Sequence, residues 1–269
     1  QEAISVIQNH ATENKKRQTP KPLLLYLAYP APHTPWLPEK KFLGQSGASM
    51  YGDFMVMVDN TIGRVLKSLE ENQLAENTLV IFSSDNGPTW YDEDVERFGH
   101  DSAGGLRGMK ADAWEAGHRV PFIVRWPGKV NSGSVSDQTI CFTDLLATFA
   151  AMTDQKLGPN DGPDSFNFLS VLRGTRSEDD PVRKSLAIQS GNGMRTVRLG
   201  SWKLIEGLGS GGFSKPNRIK PGPGDPLGQL YDLEHDPAES KNLYFEKPEM
   251  VKRLQSELEQ IRQDGRSRP

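Results

Sequence analysis

Thr78-Leu79-Val80-Ile81-Phe82-Ser83-Ser84-Asp85-Asn86-Gly87-Pro88 is the stretch on which the fold reading turns. Leu79 to Phe82 is a continuous apolar run bounded by turn residues, which reads as a buried strand of a parallel or mixed sheet. The strand stops on an acid, an amide and a glycine. In open α/β sheets, ligands gather beyond the carboxyl ends of strands, so Asp85 and Asn86 stand where a site forms. Both offer hard oxygen atoms suited to Ca²⁺ or Mg²⁺. Asp-Asn-Gly is equally a turn sequence, because Asp and Asn bond their own backbone and Gly accepts positive φ.

Upstream, residues 2–16 carry Ala3, Ile4, Ile7 and Ala11 at helical spacing. Leu23 to Ala28 reads as a second apolar strand. It runs into Tyr29-Pro-Ala-Pro-His33-Thr-Pro-Trp36-Leu-Pro38, where four prolines hold an extended loop. His33 is the side chain with chemistry there, and a solvated loop histidine is the plain alternative. Phe54, Val58, Ile62, Val65, Leu66 and Leu69 trace one face of a helix from about Ser49 to Glu71, with Asp53 and Asn60 on the opposite face.

Downstream, residues 89–103 form a long polar and aromatic loop containing His100; its length favours binding, and a disordered surface loop is the equal alternative. Gly104-Gly105-Leu106-Arg107-Gly108-Met109-Lys110 follows; its glycines let backbone approach a ligand, and Lys110 offers a cation to an anion. Val120–Trp126 reads as a strand, and Asp144–Met152 as a helix with Thr143 as its N-cap. Arg173–Pro181 is a polar break that divides the chain into 1–180 and 181–269. Beyond it, Ser185–Gln189, Met194–Leu199, Trp202–Ile205 and Gln229–Leu233 read as antiparallel strands. Gly207–Gly228 reads as a Gly/Pro-rich insertion without core residues, and Glu249–Ile261 as a closing helix.

Composition narrows the function. Net charge is −3, and no basic stripe or motif points to nucleic acid. No run approaches the roughly 18 apolar residues of a membrane span. Cys141 is the single cysteine, which excludes an intrachain disulfide and a Cys-rich zinc site, and reads as a small buried hydrophobe. Gln1-Glu2-Ala3-Ile4 looks like the middle of a helix, so residues upstream of Gln1 are expected.

Three features line up along the chain. They are Pro32-His33-Thr34-Pro35, Ser84-Asp85-Asn86-Gly87-Pro88, and Gly108-Met109-Lys110 followed by Trp114-Glu115-Ala116-Gly117-His118-Arg119-Val120-Pro121. In this order and spacing they resemble the type I sulfatases, the formylglycine-dependent arylsulfatase family. Leu230-Tyr231-Asp232-Leu233-Glu234-His235-Asp236-Pro237 with Asn242-Leu243 resembles the family's C-terminal subdomain.

The resemblance implies an α/β, alkaline-phosphatase-like mixed sheet flanked by helices, present in part. Over 1–180 this is the latter part of the catalytic domain. Over 181–269 it is a small antiparallel sheet with one helix. The resemblance implies a sulfuric ester hydrolase acting on a sulfated carbohydrate or aryl sulfate. Asp85 and Asn86 would be calcium ligands, with Mg²⁺ as the alternative ion. Lys110 would hold a sulfate oxygen, and His33 would contact the ester near its leaving oxygen. His100 would be a substrate contact. The family's formylglycine nucleophile, made in a C/S-x-P-x-R motif, would lie in an N-terminal half not contained here, so the chain alone is expected to lack turnover. Ser214-Lys215-Pro216-Asn217-Arg218 fits those letters but stands after Lys110, with no helix following it to supply an anion site. Two other readings stay open: a phosphomonoester or phosphonate hydrolase of the same superfamily, and a non-catalytic domain binding calcium or sulfated glycan. A periplasmic or secreted location is expected by the same resemblance. Oligomeric state is not readable.

Overall fold

A computed structural model describes all of residues 1–269. The chain divides into two units. The first comprises Gln1–Val80, Asp92–His100 and Arg125–Gly128, and the second Ile81–Tyr91, Asp101–Val124 and Lys129–Pro269.

The first unit is built on α1 (Glu2–Lys15) and α2 (Ser49–Glu71). Ile7 on α1 packs with Leu69 and Ala75, and Leu25, Val65, Leu74 and Val80 surround them. The Asn14 side chain donates to Lys21 O and accepts from Lys21 N, which fixes the path of the chain as it leaves α1. Leu23–Ala28 is not a strand, contrary to the sequence reading. Leu25 joins the core, but Leu24 and Tyr26 are 80% and 86% exposed. A strand requires a neighbour for its backbone groups, and no segment of this chain pairs with residues 23–28.

Two further readings are corrected here. Asp53 is not on a solvated face of α2; it is buried and accepts bonds from Gly44 N, Ser46 N and Ser46 Oγ. Those bonds tie down the turn before the helix and hold the carboxyl below its ordinary range. The 89–103 stretch is not all loop, because Asp92–Phe98 forms α3. Its first turn carries Asp92, Glu93 and Asp94, where acids oppose the helix dipole favourably.

In the second unit, β1 (Val80–Ser83), which starts in the first unit, pairs with β2 (Phe122–Arg125). Between them lies α4 (Glu115–His118); α5 (Asp144–Met152) and α6 (Leu169–Leu172) follow. Thr143 occupies the N-cap position of α5 but makes no capping bond. Ser165 Oγ takes over the role by accepting Ala147 N at 2.9 Å, while Asp144 accepts from Cys141 N and Phe166 N and is buried against Arg183. Cys141 is half-buried, less enclosed than its sequence context suggests.

The remainder is a four-stranded antiparallel sheet in sequential order, β3 (Ser185–Gln189), β4 (Arg195–Leu199), β5 (Trp202–Ile205) and β6 (Gln229–Asp232). Strand alternation sends Val197, Leu204 and Leu230 to one face, which α7 (Pro248–Asp264) covers with Val251, Leu254 and Leu258. Proline at the start of α7 and left-handed Gly265 at its end set the helix limits. The other face presents Ile205 and Tyr231, packed with Ala113, Trp114, Met194 and Leu233. Burying each such side chain stabilises the fold by roughly 1.5–3 kcal/mol. The sheet is therefore covered on both faces, and the second cover is the segment that follows Lys110.

Candidate active site

Ser84–Pro88 leaves the end of β1 and folds onto the turn of α4. Gly87 N donates to Gly117 O at 3.3 Å. A Cβ on Gly87 would lie 1.6 Å from Ala116 O, so the contact requires glycine. Asn86 Nδ2 donates to Gly87 O at 3.0 Å, so Oδ1 is the oxygen that its side chain can offer to a ligand. The Asp85 carboxylate is exposed.

Lys110 is brought to this loop by its backbone. Lys110 N donates to Pro88 O at 2.7 Å. Gly108 (φ 88) and Ala111 (φ 73) are both left-handed and turn the chain on either side of it. Asp112, buried, receives Met109 N at 2.9 Å and Ser214 N at 3.1 Å. A backbone bond thus joins the turn that carries Lys110 to Pro88, at the end of the loop that carries Asp85 and Asn86. Lys110 is half-buried, and an ammonium suits an anion as a carboxylate and an amide oxygen suit a divalent cation. Asp85 and Asn86 fit part of a calcium shell: their oxygens are of the right type, but a full shell takes about six to eight.

The other two sequence candidates belong to the first unit. His33 is exposed, with Nδ1 2.7 Å from Thr34 O in the proline-rich loop. His100 is exposed just beyond α3.

Beneath Gly117 lies a charge network that sequence reasoning missed. Strand alternation turns Lys203 onto the face covered by Trp114, where it is 1% exposed. Its Nζ lies 2.9 Å from Glu115 Oε1 and 2.9 Å from Glu239 Oε1. Glu239 Oε2 accepts the Glu115 backbone N–H at 2.6 Å, and so caps α4. His118 Nε2 (3.2 Å) and Arg119 Nε (3.2 Å) also reach Glu115. Burial pushes Glu115 up, but His118 and Lys203 outweigh it and hold the carboxyl well below the usual range. Burial raises Glu239, with Lys203 opposing. Glu115 belonged to the quoted Trp-Glu-Ala-Gly-His words, yet no local pattern connects it with Lys203 or Glu239.

A second clamp joins the same parts. Arg107 Nη1 donates to Glu239 O at 2.7 Å, and its guanidinium lies 3.7 Å from the Trp114 ring centroid. Trp114 Nε1 donates to Gln229 Oε1 at 3.0 Å, and so does Tyr231 Oη at 2.8 Å. Burial pushes the Tyr231 phenol up to about 12.

The Gly207–Gly228 stretch also differs from expectation. Residues 209–212 are buried. Ser210 O accepts Ala113 N at 2.6 Å, and a Cβ on Gly212 would meet Ala111 O at 2.3 Å. Ser210 N and Gly211 N donate to Pro216 O and Asn217 O, which folds the Ser214–Arg218 stretch into a tight loop. Asp232, Glu234 and His235 cluster in the following turn, where His235 Nδ1 lies 2.9 Å from Asp232 Oδ2.

Residues 4–155 match the family described as Sulfatase. The chain is 35% identical to an N-acetylgalactosamine-6-O-sulfatase of Bacteroides thetaiotaomicron, over 97% of this chain and 51% of that protein. It is 34% identical to the human N-acetylgalactosamine-6-sulfatase over 68% of this chain and 33% of that protein. One solved structure, described with the metabolism of multiple glycosaminoglycans by Bacteroides thetaiotaomicron, is 34% identical with a TM-score of 0.81. It covers 97% of this chain and 52% of that one. A sulfatase structure from Pseudoalteromonas sp. is 25% identical with a TM-score of 0.65, over 86% of this chain and 46% of that one. The chain thus spans about half the length, or less, of the proteins it matches. The fold is their alkaline-phosphatase-like α/β fold. With the family match running through more than half of its residues, this chain belongs to the sulfatase family.

Proposed function

We propose that the protein hydrolyses sulfate monoesters of a carbohydrate, with N-acetylgalactosamine 6-sulfate as the substrate class that its relatives' names suggest. The observation that supports this reading best is the Lys110 N–Pro88 O bond, which joins the backbone of the Lys110 turn to the loop of Asp85 and Asn86. Lys110 would bind a sulfate oxygen and offset charge that builds as sulfur is attacked. Asp85 and Asn86 would hold a calcium ion, which supplies further positive charge to the sulfate oxygens. His33 would bond the bridging oxygen and help protonate the departing alcohol. His100 would contact the sugar. In this reading, residues 1–180 contribute to the catalytic domain and 181–269 brace it. The formylglycine nucleophile would come from outside the residues assigned here, and the working protein would be periplasmic or secreted.

The test is sulfate release by the protein, carrying whatever residues its gene encodes before Gln1. It is assayed on N-acetylgalactosamine 6-sulfate and, for comparison, on the 6-phosphate. Preferential sulfate release supports the reading. Preferential phosphate release, or binding without turnover, overturns it.

A further inference from the structure

Ser214-Lys215-Pro216-Asn217-Arg218 has the letters of a nucleophile motif and no part in the site above. Its last residue has a different setting. Arg218 Nη2 donates to Asn192 O at 2.5 Å, which holds the guanidinium against the turn between β3 and β4. There it borders a cleft of about 260 Å³ that Arg195 and Glu206 also line. Arg195 Nη1 and Glu206 Oε2 are 3.7 Å apart and both part-exposed, an ion pair too loose to neutralise the arginine fully. Gly193, Gly207 and Leu208 also line it.

The cleft is tied to Lys110. Gly191 N donates to Ala111 O at 2.8 Å, and Asn192 N donates to Gly211 O at 2.9 Å. A Cβ on Gly191 would meet Ala111 Cβ at 2.8 Å, so the turn lies directly on the residue after Lys110. Counting residues from Lys110 through this contact to Gly193 puts the cleft wall within roughly 15 Å of the Lys110 backbone. That is the reach of a short oligosaccharide.

Two guanidiniums and one carboxylate facing a small cleft suit a sugar residue with an anionic substituent. Arginine pairs with sulfate or carboxylate oxygens through two parallel N–H bonds, and Glu206 accepts from hydroxyls. We propose that this cleft is a second carbohydrate subsite, in which Arg195 and Arg218 bind an anionic group on a sugar neighbouring the one hydrolysed. The proposal rests on the carbohydrate-sulfatase reading and adds that the substrate is a polyanionic chain.

The test compares the wild type with Arg218→Ala, Arg195→Ala and Glu206→Gln. Kinetics are measured on 6-sulfated N-acetylgalactosamine as the monosaccharide and on a fully sulfated hexasaccharide containing it. Each arginine variant should raise KM for the hexasaccharide at least fivefold and change the monosaccharide less than twofold. Glu206→Gln, which leaves Arg218 clamped, should lower the hexasaccharide KM. Equal effects on both substrates, or none on either, overturn the subsite. If wild type turns over neither substrate, the hydrolase reading has failed and the subsite is judged by fluorescence anisotropy of the labelled hexasaccharide. Binding that weakens at least fivefold in both arginine variants, and is weak for the desulfated hexasaccharide, supports the subsite. Binding unchanged in the arginine variants overturns it.

Discussion

The backbone N–H of Lys110 donates to Pro88 O at 2.7 Å, so residues twenty-two positions apart are joined next to the Asp85-Asn86 pair. This bond links two separate sequence words, Ser84–Pro88 and Gly108–Lys110, through their backbones.

Lys203→Met should destabilise the protein by about 3–5 kcal/mol, because it strands Glu115 and Glu239 as buried carboxylates without their shared cation. Arg198→Ala, whose guanidinium lies 3.9 Å from Glu115 and is part-exposed, should cost less than about 1 kcal/mol. Urea denaturation checks both. A Lys203→Met cost no greater than that of Arg198→Ala would show that the network contributes little.

Acid should erode stability in two stages. Burial, the largest influence, depresses His118; Glu115 opposes it and Lys203 reinforces it. Glu115 is also depressed, as described above. Both groups bind fewer protons folded than unfolded, so their contributions are complete above the unfolded values of about 6.5 and 4.3 and fade as pH falls below each. Glu239 has the opposite sign: its raised pKa gives a contribution that is present at low pH and lost as pH rises through the folded value. Melting temperature should fall between pH 7.5 and 5, and His118→Asn should flatten that slope. Parallel slopes for wild type and variant would contradict the assignment.

Gly87→Ala should cost more than about 2 kcal/mol, because the new methyl meets backbone, Ala116 O, which cannot swing aside as a side chain would. Gly63→Ala on α2, where a Cβ meets nothing within 4 Å, should be neutral or stabilising by up to about 1 kcal/mol. Thermal melts of the two variants give the comparison. A mild Gly87→Ala would mean that the 84–88 loop is not seated on α4.

Much of this architecture is written in local pattern. Helical spacing locates α1 and α2, and short, closely spaced strand-like runs locate β3 to β6. What is not legible depends on partners distant in the chain. Leu23–Ala28 has the composition of a strand but finds no neighbour here, so composition alone misleads. Asp53 has the period of a solvated face but is buried by the Gly44–Ser46 turn. Lys203 looks like a surface lysine until Glu115 and Glu239, from two remote segments, close around it. Gly209, Gly211 and Gly212 look like a loose insertion, whereas the lack of a side chain is what lets Gly212 lie against Ala111 and Asp112, and Gly211 against Ser190 and Met194.

Asp85→Ala should raise the calcium concentration needed for half-maximal activity at least about tenfold, since it removes the one charged ligand this loop provides. Asp59→Ala, an exposed acid on α2, should change nothing. Calcium titration of activity after chelation reads both. An unchanged requirement in Asp85→Ala would remove this loop from the metal site.

The most direct test of the central claim is kcat for sulfate release by Lys110→Ala. Its side chain makes no bond on which the fold depends, so melting temperature should stay within about 1 °C while kcat falls on the order of 10²–10³-fold. Retention of wild-type kcat in a folded Lys110→Ala protein would contradict the account.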